Sequence, residues 1–362
     1  MNSVRSLKFD SNSTLLIKGI AIILMICNHL YPIFEWIYPE NMYLSFPLGD
    51  KNLAAYIGGF SKICVSIFAL LTGIGMYYCY KKKGIKIGYV YNLRKLLKFF
   101  LTYWIVLGLV YIPVMISVSI YKFDLLECIL NMFGYKTTYC RIAWYVRFYM
   151  ELVLTFPIFL YVKILLERSH NRIISSLNPI LIIIIPILIN ILIDLSNLDG
   201  NIVFYVKEYF GYISIVLAGY FIAEYALFER VYNKIITLNI KIIYCSCLIG
   251  FIICFLGRGF LTRIEWVNTD LIFAPGFIFL FWTLNNVIRN DVLSDILITL
   301  GKYSLEIWFL HAIFFVGNVK VQRVAYWPKI DILILIWVVF LCLMVAFVIR
   351  KIEAQIIKKI NW

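Results

Sequence analysis

Ten stretches of mostly apolar residues alternate along this chain with short polar connections. They run at about 15–37, 53–80, 96–120, 142–166, 178–195, 205–227, 240–257, 270–288, 300–319 and 330–350. Roughly 20 apolar residues in helical form cross the hydrocarbon core of a bilayer. The runs are rich in Ile, Leu and Phe and lack the short alternating segments of a membrane β-barrel. The pattern predicts an all-α, polytopic transmembrane helix bundle of about ten spans. No polar stretch is long enough for a soluble domain, so residues 1–362 are expected to form a single membrane domain. The first span is too long and too polar for a signal-peptide core and reads as a retained helix.

Composition agrees with this picture: 63% of residues are hydrophobic and 15% charged, where a soluble domain of this length would carry more charge. The net charge of +14 is read as a topology signal. About 22 of the 34 Lys and Arg fall on the side of the termini, crowded at Lys81, Lys82, Lys83, Lys86, Arg94, Lys95 and Lys98 and again at Arg350, Lys351, Lys358 and Lys359. Both termini are therefore expected in the cytoplasm, with the chain multi-pass in the plasma membrane and in contact with its lipids. A nucleic-acid partner would need a soluble basic surface with aromatic platforms, and none is present. Most of the nine cysteines sit within spans as small apolar residues. Cys128 and Cys140 share a loop, where a free pair is expected over a disulfide. No internal repeat is visible, which argues against a secondary transporter. No metal is expected.

Three constellations carry chemistry. The first is Lys18 and His29, eleven positions apart in the first span with Asn28 alongside. Eleven helical residues climb about 16 Å and return to nearly the same face. That face holds a cation near one membrane surface and an imidazole at depth. A snorkelling Lys and a structurally bonded His is the plain alternative. The functional one is a general base, kept neutral by burial and able to take a proton from a hydroxyl. The second is Arg94-Lys95-Leu96-Leu97-Lys98, where Lys95 and Lys98 share a face at the membrane edge. Either it anchors the chain to anionic lipid, or it docks a phosphate-bearing cytoplasmic substrate. The third is Gly301 to His311, in which Ser304, Trp308 and His311 share one face, with Glu306 an intramembrane carboxylate. For His311 and Glu306 a structural polar contact and a catalytic role stand level.

In this order the segments resemble the acyltransferase-3 family of integral membrane proteins. Lys18 through His29 looks like the family's opening helix, a basic residue, ten intervening residues and then a His taken to be essential. Ser66 to Gly73 is similar to its second span, Lys95-Leu96-Leu97-Lys98 with Tyr103-Trp104 to its Arg-x-x-Arg segment, Trp144 through Pro157 to its Trp-Phe-Leu helix, and Gly301 to His311 to its late Ser…His span. The resemblance implies transfer of an acyl group, commonly acetyl from acetyl-coenzyme A, to hydroxyls of surface or exported carbohydrates. It implies Lys95, Lys98 and Arg94 at the coenzyme and His29 at the reacting groups, with Lys18, His311 and Glu306 as further catalytic candidates. Direct transfer and an acyl-His intermediate both remain open. Lys stands where the family has Arg in the basic pair, which loses bidentate phosphate recognition. Two other readings are carried: an exporter of polysaccharide or lipid-linked sugar, and a scaffold whose polar residues only hold helices together.

Other polar residues are less informative. Arg147 and Glu151 are expected to pair within a span. Arg258, Arg263 and Glu265 are expected in a solvated outer loop, and His170 on the cytoplasmic surface. Asp194, Asn285 and Asn286 have no nameable partner.

Overall fold

The computed structural model of the chain describes residues 7–31, 46–48, 51–117, 122–196, 198–261, 268–288, 290–315 and 319–360. They form α1 (Ser11–Leu30), a two-residue hairpin pairing Pro47–Leu48 with Lys51–Asn52, α2 (Leu53–Ser61) and α3 (Ile63–Val106). A π-helical turn (Leu107–Tyr111) leads into α4 (Ile112–Ser117), followed by α5 (Leu125–Met132), α6 (Trp144–Glu167), α7 (Arg172–Leu195) and α8 (Asn201–Glu224). The rest is α9 (Leu227–Ile235), α10 (Ile240–Leu261), α11 (Asp270–Ile288), α12 (Asp291–Lys302), α13 (Ser304–His311), a 3-10 turn (Ala312–Phe315), α14 (Val319–Ala325) and α15 (Asp331–Ile360).

Local chemistry starts several of these helices. The Asp10 carboxylate accepts from Ser13 N at 2.8 Å, and Asn52 Oδ1 accepts from Ala55 N at 2.8 Å, each satisfying a first-turn N–H. Asp124 does the same for α5 at 2.7 Å. Pro179 and Pro186 lie inside α7 without ending it.

Among the described residues each of the ten apolar segments falls mostly on helix. Among the described residues eight helical stretches are long and apolar enough to cross a membrane, or nine if α12 with Ser304–Phe315, bent by 69° at the break, is one span. In that count Leu53–Ser117 is one stretch. The basic connection expected at 81–95 is not a loop: it is helical on both sides of Gly84, which alone leaves helical geometry at φ 73, ψ 172. Only glycine takes that conformation without strain. The chain reverses there, because Cys79 Sγ lies 3.8 Å from the Gly88 carbonyl oxygen, where nine residues of straight helix would hold them about 13 Å apart.

The helices gather into two compact units, each drawn from three separated stretches. One comprises Met1–Lys18, Val65–Leu93 and Glu151–Ile298. In it α7 packs along α8 and α10 along α11. Here α3 and α8 cross at backbone contact, since a Cβ at Gly73 would lie 1.8 Å from the Val216 carbonyl oxygen and one at Gly219 2.1 Å from that of Leu70. Small residues at such a crossing let two membrane helices approach closely. Gly219→Ala is therefore expected to force the helices apart at a cost of about 1–3 kcal/mol, seen as a lower Tm in detergent. Gly75→Ala, with open space around the added carbon, should leave Tm unchanged, and equal Tm for both variants would refute the crossing.

The other unit comprises Gly19–Cys64, Arg94–Met150 and Thr299–Trp362. Its core is aromatic: Phe99 and Tyr103 of α3 lie against Phe309 of α13 with ring centroids 5.3 and 5.0 Å apart, and Tyr145 meets Trp308 edge-on at 4.9 Å. Tyr111 donates to the Phe309 carbonyl at 2.8 Å, and Tyr103 to that of Asn131 at 2.8 Å. These bonds satisfy polar groups that lipid cannot.

Candidate functional site

α1 ends with His29 on its last turn, and α13 ends with His311 on its own. Both residues belong to the second unit, and the fold sets their rings side by side, with centroids 5.1 Å apart at 47°. Phe315 closes one flank, nearly parallel to His29 at 6.4 Å. His29 is half-buried and His311 fully buried.

The proton on His311 can be placed by its partner. Nδ1 lies 2.6 Å from the Trp308 carbonyl oxygen, which can only accept, so Nδ1 carries the hydrogen. Nε2 then holds the lone pair. It is buried, and among the described residues it has no hydrogen-bond partner. Leaving a buried acceptor unsatisfied costs roughly 1–3 kcal/mol. The arrangement therefore offers two adjacent imidazoles, one of which has a free basic nitrogen.

Five residues back along α13, about 7.5 Å, lies Glu306. It does not join the imidazoles. Its carboxylate is gripped by Arg350 of α15, Nε to Oε1 at 2.7 Å and Nη2 to Oε2 at 2.9 Å. This pair borders a cavity of about 760 Å³ also lined by Lys98, Glu353, Ile357 and Lys358. Lys98 Nζ stands 3.4 Å from Glu353 Oε1, and Thr102 donates to Glu353 Oε2 at 3.1 Å. Arg94 and Lys95 sit exposed one turn before Lys98 on α3 but are not among the lining residues. Lys18 is half-buried in α1, about 16 Å along the axis from His29.

The structure thus brings together His29 with His311, and Lys98 with Glu306 across one cavity. Sequence reasoning missed Arg350 and Glu353, which it counted with the C-terminal charges or passed over. Their i, i+3 spacing on one face of an apolar helix was the available signal. It also missed a buried cluster in the first unit. Arg258, expected in a solvated loop, is buried on α10 and donates from Nε to Asp270 Oδ1 at 2.6 Å, while Ser66 donates to Asp270 Oδ2 at 2.8 Å. Arg263 and Glu265 lie outside the described residues. Asp194 pairs with Lys207, Asn285 accepts from Ser294 at 3.0 Å, and Asn286 donates to the Trp282 carbonyl at 2.7 Å. His170 is exposed. Cys128 and Cys140 are free thiols.

Residues 15–351 match the family model Acyl_transf_3, described as an acyltransferase domain. A comparison with curated proteins finds no match, and neither does one with solved structures.

Proposed function

Because the chain belongs to the acyltransferase-3 family, it is a membrane acyltransferase of groups other than aminoacyl groups, and we propose that it moves acetyl from acetyl-coenzyme A to a hydroxyl of a surface or exported glycan. The observation that carries the reading is the imidazole pair, His29 and His311, with rings 5.1 Å apart and a free basic nitrogen on His311. Acyl transfer to a hydroxyl needs a neutral base at the reacting oxygen.

In this mechanism a ring nitrogen of His29 takes the proton from the acceptor hydroxyl. The oxygen attacks the thioester carbonyl, the tetrahedral adduct collapses, and the carbon–sulfur bond breaks. The thiolate leaves with the proton that His29 had taken, so base and acid are the same residue. As His29 charges, its second N–H turns toward the unpaired Nε2 of the neighbouring His311, which then orients the ring and supports the transient positive charge. Its own tether to Trp308 keeps Nε2 unprotonated for that purpose.

The donor approaches from the cytoplasm in this reading. The chain crosses the plasma membrane ten times, with both termini and the 81–98 segment on the cytoplasmic side, where its basic residues concentrate. Lys98, Lys95 and Arg94 sit close together on the limb of α3 after Gly84, and Lys98 lines a cavity large enough for a nucleotide. Lys18 marks the same membrane face on α1.

The test is transfer by purified protein from labelled acetyl-coenzyme A to a glycan acceptor. Removing both charges, Lys95→Gln with Lys98→Gln, should raise the donor KM on the order of tenfold, the size expected when charge-assisted contacts are lost, and leave the acceptor KM alone. An unchanged donor KM reassigns the pair to lipid anchoring. No thioester turnover by the wild type sinks the donor.

A further inference from the structure

The cavity bordered by Lys98 contains an arginine that is held in one pose. The Arg350 guanidinium donates from Nε and Nη2 to the two oxygens of Glu306, at 2.7 and 2.9 Å. Nη2 also reaches the Lys302 carbonyl oxygen, at the break between α12 and α13. The Tyr303 ring lies beneath the guanidinium, 4.0 Å from its Cζ. These contacts fix the plane of the group and occupy one edge. Among the described residues Nη1 donates to nothing, and its two hydrogens remain for a ligand.

Exposure gives the cavity its sign. The Arg350 side chain is 38% exposed and that of Lys98 61%, against 3% for Glu306 and 5% for Glu353. Cations therefore face water while the carboxylates that balance them are withdrawn behind. Lys358, also exposed, adds a third positive group from the last turns of α15. A preorganised guanidinium flanked by two ammonium groups suits phosphate oxygens, which form strong charge-assisted bonds with the free Nη1 hydrogens and with the ammonium groups.

We infer that this cavity is a phosphate-binding site, with Arg350 as its specificity-determining residue and Glu306 as the positioning residue that holds Arg350 in place. The ligand chemistry is a phosphomonoester or pyrophosphate. Resting on the donor reading above, that group is the nucleotide end of acetyl-coenzyme A, and Arg350 adds from α15 a charged donor fixed in direction, which the flexible Lys95 and Lys98 do not provide. An anionic lipid headgroup shares this chemistry.

The experiment titrates coenzyme A, pantetheine and inorganic pyrophosphate into purified protein in phosphatidylcholine nanodiscs, and repeats the series with phosphatidylglycerol present. Arg350→Lys and Glu306→Gln should each weaken coenzyme A binding on the order of tenfold. Exposed Lys358→Gln, which threatens no buried contact, should weaken it a few-fold. Pantetheine, which carries no phosphate, should bind weakly and equally in all four proteins. Unchanged coenzyme A affinity in Arg350→Lys and Lys358→Gln overturns the inference. Equal losses for coenzyme A and pantetheine overturn it too, by showing a structural defect. Coenzyme A binding that ignores Arg350 while phosphatidylglycerol retention depends on it assigns the site to lipid and overturns the donor assignment. If the wild type binds pyrophosphate through Arg350 but has no affinity for coenzyme A, the phosphate site stands and the donor reading falls.

Discussion

His29→Asn is expected to accumulate in the membrane, fold normally and transfer almost no acyl group. Asn fits a half-buried position beside the His311 and Phe315 rings and keeps hydrogen-bonding capacity. It cannot accept a proton at neutral pH. Loss of a positioned base typically costs on the order of 10²–10⁴-fold in rate. The loss should appear in kcat, with donor affinity close to normal, because the charged cavity draws on α3, α13 and α15 rather than on α1. His170→Asn, on the exposed surface, should stay fully active. Near-normal turnover by folded His29→Asn protein would falsify the mechanism while leaving the family membership intact.

His311→Leu should separate stability from activity. The imidazole is wholly buried, and its Nε2 is a desolvated acceptor with no partner among the described residues. Leucine removes that unsatisfied acceptor but also strips the Trp308 carbonyl of its Nδ1–H donor, and the two changes roughly offset. The expected Tm is close to that of the wild type. Turnover should fall about 10–100-fold, because His29 loses the neighbour that orients its ring and shares its charge. Both KM values should change little. A variant that melts well below the wild type would make His311 a packing residue. One that turns over normally would leave His29 acting alone.

Much of the architecture was legible because lipid imposes a simple rule. Every span needs about 20 apolar residues, and among the described residues each of the ten runs read from the chain is mostly helical. Lys18 and His29 were legible as a pair because helical periodicity is local. What failed was partner choice. A sequence marks each intramembrane polar residue as costly, but it does not say which distant group repays it. His29 finds His311 about 280 residues away, and Glu306 finds Arg350 on another helix. Arg258 read as a surface charge because it stands near the end of an apolar run. Only the approach of Ser66 on α3 and Asp270 on α11 shows it to be buried. Asp194, left without a nameable partner, meets Lys207 on the helix that follows. The 81–95 segment misled in the opposite direction. Its lysines mark a membrane exit, yet lysine is a good helix former, so the helix runs to Gly84 and resumes after it.

That the imidazole pair joins the first span to the third-last helix has a consequence for how the protein is made. Ribosomes add about 5–20 residues per second, so His29 is synthesised roughly 15–60 s before His311. The unit that contains both also draws on Thr299–Trp362. A nascent polypeptide therefore carries no assembled pair while it threads into the bilayer, and a product released early from translation never acquires one. In the mechanism proposed above, competence for acyl transfer therefore waits until α13 has been made and has packed against the His29 turn of α1.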